Sequence, residues 1–379
     1  MTKHLGFSNF YPAIRRKGTL TLSLVLCIMG LVVSASAQRS TIITFSIPDA
    51  GTAANQGTFP IGIDAQGRIV GYYEDANSVY HAFLRAPNGH ITTFEAPGAG
   101  NEANQGTQAY CLNPQGAIVG FYFDTEGVMH GFLRDPDGRF TTINVPDAGT
   151  SSGQGTGSWN INPAGTIAGY YQDANYVAHA FLRTRDGRFT TFSAPDALGT
   201  GMDYFSGLNP AGEVNGNYED SKGRVHGYVR SPDGRLITYE VPGASASINQ
   251  GTFSSSINTT GTVTGYYIDA NGLFHGYLRA PNGSFMKFDV PDAGKEPNQG
   301  TFPSNINPST EVTGEYLDEG FVWHGFVRAP NGFVTKFDVP GAGSGAYQGT
   351  MPGSNNSEGA ITGYYVDDAG VFHGFLRTQ

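Results

Sequence analysis

The chain has 379 residues, of which only 14% are charged, and its 20 Tyr and 25 Phe supply bulk for a sizeable core. That balance excludes a charge-rich disordered chain and a charge-laced coiled coil, and 54 glycines without a three-residue period exclude collagen. A net charge of −10 speaks against nucleic acid or an anionic membrane surface as a partner.

Residues 1–37 read as a signal peptide. Lys3, Arg15, Arg16 and Lys17 form a positive start, Leu20 to Val33 is an uncharged apolar stretch, and Ala35-Ser36-Ala37 is a small-residue cleavage pattern. The apolar stretch is shorter than the ~20 residues a bilayer span needs, so no membrane span is expected. The segment holds four of the 22 basic residues and no acid, leaving 18 basic against 32 acidic residues, a net charge of −14. Cys111 is then the lone cysteine, so no internal disulfide is expected.

Residues 38–379 read as one domain built on a repeat. The first segment, Ile42 to Ile47, has the character of a strand that closes a repeat, without the three strands that should precede it. A histidine-centred hexapeptide then recurs as YHAFLR, MHGFLR, AHAFLR, VHGYVR, FHGYLR, WHGFVR and FHGFLR, with His81, His130, His179, His226, His275, His324 and His373 spaced by 49 residues, once by 47. A period of this size means a solenoid, a propeller or an array. In the fifth copy four β-branched or aromatic runs (252–257, 262–269, 273–279 and 284–290) are separated by turns rich in Asn, Gly and Pro. No stretch of this domain has a 3.6-residue apolar period. Four strands per unit is the pattern of a propeller blade.

The chain stops at Gln379, where a fourth strand is missing from the last copy. The N-terminal strand supplies it. The expected fold is therefore all-β, a seven-bladed β-propeller of ~49-residue, four-stranded repeats, closed by the N-terminal strand joining the last blade. The segments H-[AG]-[FY]-[LV]-R, preceded by Gly-Tyr-Tyr-x-Asp and followed by Pro-Asn-Gly or Pro-Asp-Gly, resemble the HAF family of extracellular bacterial repeats. The resemblance spans the chain beyond residue 37, implies export from a bacterial cell, and carries over no catalytic residue.

Four residues recur around every histidine, in the fifth copy Gly265, Tyr267, Asp269 and Arg279 about His275. A three-residue hairpin loop at Ala270-Asn271-Gly272 sets Tyr267 beside His275 and Gly265 beside Tyr277. Seven copies on a ring cannot converge on one reaction, so Asp269, Tyr267, His275 and Arg279 are read as a structural network. One His and one Asp per blade also fall short of the three or four ligands of a zinc site. No cofactor is expected, with calcium at Asp75-type hairpin carboxylates as the one variant.

Function is sought where the copies differ. The fourth copy is two residues short, is read with Gly201-Met202-Asp203 in place of Gln-Gly-Thr, and carries Asn215 and Asn217. Trp159, Tyr176, Asp203, Tyr204, Phe321 and Tyr347 are the candidate ligand-binding residues, on the end bearing the hairpin tips and the Gln-Gly-Thr turns. Two functions fit. The favoured one is a secreted or periplasmic, monomeric, non-enzymatic binding module for a glycan or an extracellular protein. The other is a polysaccharide hydrolase or lyase drawing on Asp203, Glu213 and Glu219, which requires two carboxylates about 5–10 Å apart.

Overall fold

Short runs of strand-forming residues cut by Asp, Asn and Gly turns leave no length for a helix, and every regular element among the described residues is a β-strand. The computed structural model describes residues 40–201 and 207–379, without the side chains of 199–201. The expected signal peptide and the candidates Asp203 and Tyr204 lie outside the described residues. Arg39–Gln379 is one compact unit.

The first strand, β1 (Thr41–Phe45), is followed by an antiparallel meander of β2 (Gly57–Ile63), β3 (Ile69–Glu74), β4 (Tyr80–Arg85) and β5 (Ile91–Phe94). The same meander recurs as β6–β9 (106–143), β10–β13 (155–192), β14–β17 (197–239), β18–β21 (252–288) and β22–β25 (300–337). The last set is β26 (Gly349–Asn355), β27 (Ile361–Val366) and β28 (Phe372–Thr378), and β1 lies antiparallel on β28 with Thr41 opposite Thr378. The expected register holds: Tyr267 faces His275, and Gly265 faces Tyr277. Phe83, Phe132, Phe181, Tyr228, Tyr277, Phe326 and Phe375, the aromatic residues two places after each histidine, are all fully buried.

Six pairs of meanders are bridged edge to edge at one point. The glycine of each Gln-Gly-Thr sits beside the start of the previous meander's third strand, as Gly300 does against Phe274 in a parallel bridge. Gly300 has φ +128, and a Cβ there would lie 2.1 Å from the Phe274 carbonyl oxygen, so only glycine fits. The next residue, buried Thr301, accepts a hydrogen bond at Oγ1 from the Val290 N–H of the meander before. Gly57 makes the same bridge to Phe372, joining the first meander to the last. Apolar side chains fill the space between neighbours: Val119 and Ile143 of one meander pack with Ile161, Ile167 and Phe181 of the next.

The fourth meander corrects the expected register. In β14 (Ala197–Gly201), Thr200 pairs with Tyr218, the position that Thr252 takes against Tyr267 in the fifth. Leu198-Gly199-Thr200, not Gly201-Met202-Asp203, therefore stands for Gln-Gly-Thr. The loop before it is five residues shorter than elsewhere and the following segment three longer, which disguises both changes as a net loss of two. Asn215 and Asn217 are buried stitches here. Asn215 donates to Ser254 Oγ at 2.6 Å, and Asn217 accepts from the Ser254 N–H at 2.6 Å and donates to its carbonyl at 3.2 Å.

Candidate binding site at the channel

The repeated polar residues are spoken for. Asp269 Oδ1 accepts from the backbone N–H groups of Asn271 and Leu273, fixing the hairpin tip, and the same pair of bonds occurs at Asp75, Asp124, Asp173, Asp220, Asp318 and Asp367. At Asp220 the Arg224 N–H and then the His226 ring hold the carboxyl down at about 2. Each histidine turns Nε2 toward that aspartate, at 3.0 Å for His130, His226 and His373. Its ring stacks on the neighbouring tyrosine, as His275 does on Tyr267 with centroids 4.9 Å apart. Nδ1 faces the residue just after a fourth strand, whose identity varies: Glu95, Asn144, Ser193, Glu240, Asp289, Asp338 and Ser46. Asp289, bonded to Nδ1, holds the His275 ring above its ordinary pKa. With both ring nitrogens engaged and the Asp oxygens committed, the set is a brace, not a general base.

The recurring arginine acts between meanders. Arg279 lies over the Tyr239 ring at 4.8 Å, and Arg85, Arg134, Arg230, Arg328 and Arg377 sit likewise on Phe45, Phe94, Phe192, Phe288 and Phe337 of the preceding meander's fourth strand. In the third copy the equivalent partner is Ile143, and Arg183 reaches only its own Phe189 at 6.0 Å. The Gln-Gly-Thr glutamines are likewise structural: Gln105 accepts from the Glu102 N–H and donates to the Thr125 carbonyl of its own hairpin.

Hairpin tips and the loops before the inner strands meet at one end of the meanders, since Tyr347 donates to the Phe321 carbonyl as Asn298 does to that of Gly272. Tyr176, Phe321 and Tyr347 all lie in this layer. Each has φ between 61 and 63, in positions where other copies place mainly Gly or Asn. A bulky residue in the left-handed region is a strained choice. Phe321 and Tyr347 pack together with centroids 5.7 Å apart, Tyr176 stands at its own tip, and both tyrosines are more than half exposed. The structure does not bring these three together with Trp159.

Trp159 marks a different place. The inner strands β2, β6 (Gly106–Leu112), β10 (Gly155–Ile161), β18 (Thr252–Ile257), β22 (Gly300–Ile306) and β26 each carry a bulge at the same point. The extra residue is Ile61, Tyr110, Trp159, Ser255, Ser304 or Gly353, and all six line a central channel cavity of about 390 Å³. Four aromatic residues, Tyr364, Tyr72, Tyr110 and Trp159, form an arc along its wall. Ring contacts run from Tyr364 through Phe59, outside the lining, to Tyr72 (5.6 and 5.0 Å), then to Tyr110 (6.0 Å) and Trp159 (4.3 Å). Ser255, Ser256, Ser304, Asn305 and Glu315 form a polar group elsewhere on the wall. Trp159 also borders a cleft of about 790 Å³ on the hairpin end, shared with Gln108, Phe121, Tyr170, Gln172 and Glu126.

Glu315, Ser304, Tyr110 and Gln108 are functional candidates that the repeat pattern concealed. Glu315 occupies the place of Tyr72, Phe121, Tyr170, Tyr266 and Tyr364, and accepts a hydrogen bond from Ser304 at 2.7 Å. Burial pushes its carboxyl up to about 8. The signal was available in Gly314-Glu315-Tyr316, where other copies mostly read Gly-Tyr-Tyr or Gly-Phe-Tyr.

Of the carboxylates considered for hydrolysis, Asp203 lies outside the described residues and the other two do not pair. Glu213 and Glu219 flank opposite ends of β15 (Val214–Asp220), six residues or roughly 20 Å apart, which is twice the span glycoside cleavage uses. Glu213 is held by the Asn209 amide at 2.7 Å. Among the described residues no group of three or more His, Cys, Asp or Glu is placed to hold a metal ion, and no helix is long and apolar enough to cross a membrane.

No family model matches the chain, and no curated protein sequence matches it significantly. Solved structures do. A streptogramin B lyase is 15% identical with a TM-score of 0.53, over 89% of this chain and 97% of that one. The BP39L lectin of Burkholderia pseudomallei is 12% identical with a TM-score of 0.56, over 85% and 94%. The β-propeller domain of the Trilobed protease of Pyrococcus furiosus is 10% identical with a TM-score of 0.54, over 86% and 94%. The fold of this chain is a β-propeller. At these identities the likeness reaches the arrangement of blades and no further.

Proposed function

We propose that this chain is an exported, seven-bladed propeller, closed by its N-terminal strand, that binds a ligand without transforming it. The pairing of β1 with β28 and the Gly57 to Phe372 bridge support the closed ring. The apolar segment before Ala35-Ser36-Ala37 and the HAF resemblance support export to the periplasm or beyond, with residues 38–379 as a single, monomeric domain. A propeller lectin among the similar structures supports a glycan as ligand, and an extracellular protein segment suits the same surface.

The observation that carries the reading is the one-sidedness of the channel. Blade construction repeats closely around the ring, yet the bulged residues are large on one side (Ile61, Tyr110 and Trp159, two of them aromatic) and small on the other (Ser255, Ser304 and Gly353). Packing alone gives no reason to leave half the wall open. Aromatic faces beside amide, hydroxyl and carboxyl groups are what recognition of a sugar uses.

The test is a glycan-array screen of the processed protein with a parallel assay of polysaccharide cleavage. Binding without cleavage is expected. Trp159→Phe and Gln172→Ala should weaken binding several-fold, while changes at Pro281 and Asn282, on the opposite end, should leave it unchanged. Turnover of a polysaccharide, or sensitivity confined to the Pro281-Asn282 variants, would overturn the reading.

A further inference from the structure

Two departures from the repeat coincide at the junction between the sixth and seventh blades. At four other junctions an aromatic residue on the second strand reaches an aromatic residue on the next inner strand: Tyr72 to Tyr110 at 6.0 Å, Phe121 to Trp159 at 5.0 Å, Tyr266 to Phe302 at 5.5 Å and Tyr364 to Phe59 at 5.6 Å. In the sixth copy the first partner is Glu315, and in the seventh the second is Met351. The bulged residues here are Ser304 and Gly353, both small. Glu315 is the one acid among the described residues lining this cavity, and none of those residues is Lys, Arg or His. Its neighbours on the wall include Met351 and Tyr364, with Tyr72, Tyr110 and Trp159 continuing the aromatic arc.

Burial leaves this carboxyl protonated at neutral pH, and the wall supplies no cation to pair with it when it ionises. A cation carried by a ligand would supply that pair. Rings and a carboxylate around a small cavity are the groups that recognise an ammonium ion, through charge on one side and π faces on the other. Resting on the reading of the channel as a ligand site, we propose that it takes an organic ammonium ion, its charge against Glu315 and its apolar body along the aromatic arc.

The experiment compares choline, benzylamine and glucosamine with their neutral counterparts 3,3-dimethylbutan-1-ol, benzyl alcohol and glucose, by calorimetry on the processed protein. At least one cation should bind tenfold or more tightly than its neutral counterpart. Glu315→Gln should bring that cation to the level of the neutral compound, and Glu315→Asp should restore part of the difference. Chemical denaturation of each variant establishes that it is folded, and Ser304→Ala, which leaves the carboxylate in place, should weaken binding less than Glu315→Gln. Equal binding of cation and neutral compound, indifference to Glu315→Gln, or no binding of any of the cations overturns the inference. If array glycans still bind through Trp159 and Gln172, the binding reading stands without the cation; if nothing binds, both fall.

Discussion

In six of the seven copies one arginine stacks on the copy before it, and its chemistry explains why lysine is never used there. A guanidinium lies flat on an aromatic face and tolerates burial, whereas a compact ammonium is held by its hydration. Arg279 is buried and stacked on Tyr239. Arg279→Ala should therefore lower stability by about 2 kcal/mol in urea denaturation, and Arg279→Lys should recover only a minor part. At Glu315 the effect of pH has a definite sign. The folded protein raises its carboxyl from 4.5 to about 8, so its contribution to stability is complete below pH 4.5 and is lost as pH rises through about 8. Glu315→Gln should be more stable than the parent at pH 9, should match it near pH 4, and should lack that part of the pH profile in thermal melts.

Among elements, the hairpins illustrate what repetition reveals and what it hides. The tip needs one left-handed residue, met by Gly127, Gly223, Gly272 and Gly370, but by Tyr176 in the third copy. Tyr176→Gly should raise stability by up to about 1 kcal/mol by relieving the left-handed conformation, the one bond lost being a 3.3 Å contact from the Tyr176 hydroxyl to the Ser152 carbonyl. An equal or lower melting temperature would show that the exposed ring contributes more to folding than its surroundings suggest. Strand count, hairpin register and the pairing of Tyr267 with His275 were legible because each rests on contacts within one copy. The partner of Arg279 was not, since Tyr239 lies in the preceding copy and its aromatic character is shared by several neighbouring residues. Nor was the channel wall. A bulge shifts the in-out alternation by one residue, and the residues it turns inward (Ile61, Tyr110, Trp159, Ser255, Ser304 and Gly353) share no chemistry from which a repeat could be read. The fourth copy was misaligned because a shortened loop and a lengthened segment after it nearly cancel.

For the molecule as a whole, β1 carries a burden out of proportion to its five residues. It covers the edge of β28, brings Phe45 to Arg85, and is followed by Ile47, whose N–H bonds to Thr58. Removing residues 41–47 should lower the melting temperature by more than any single substitution above and promote association through the bared edge, measurable by calorimetry and light scattering. An unchanged melt would show that the last blade is stable with three strands.

The same pairing has a consequence for how the molecule is made. Thr41 meets Thr378 across 337 residues, while almost every other ladder joins strands that are close neighbours in the chain. Local meanders form on short loops, but this last ladder requires the two extremes of the polypeptide to find each other, a search whose entropic penalty grows with the intervening length. Until then β1 and β28 are complementary adhesive ends, and at high concentration the β1 of one molecule meets the β28 of another before its own. Refolding should consequently show fast formation of most of the β signal, then a slower phase, with strand-exchanged dimers whose yield rises with protein concentration. Tethering residues 41 and 378 by an engineered disulfide before refolding should abolish both.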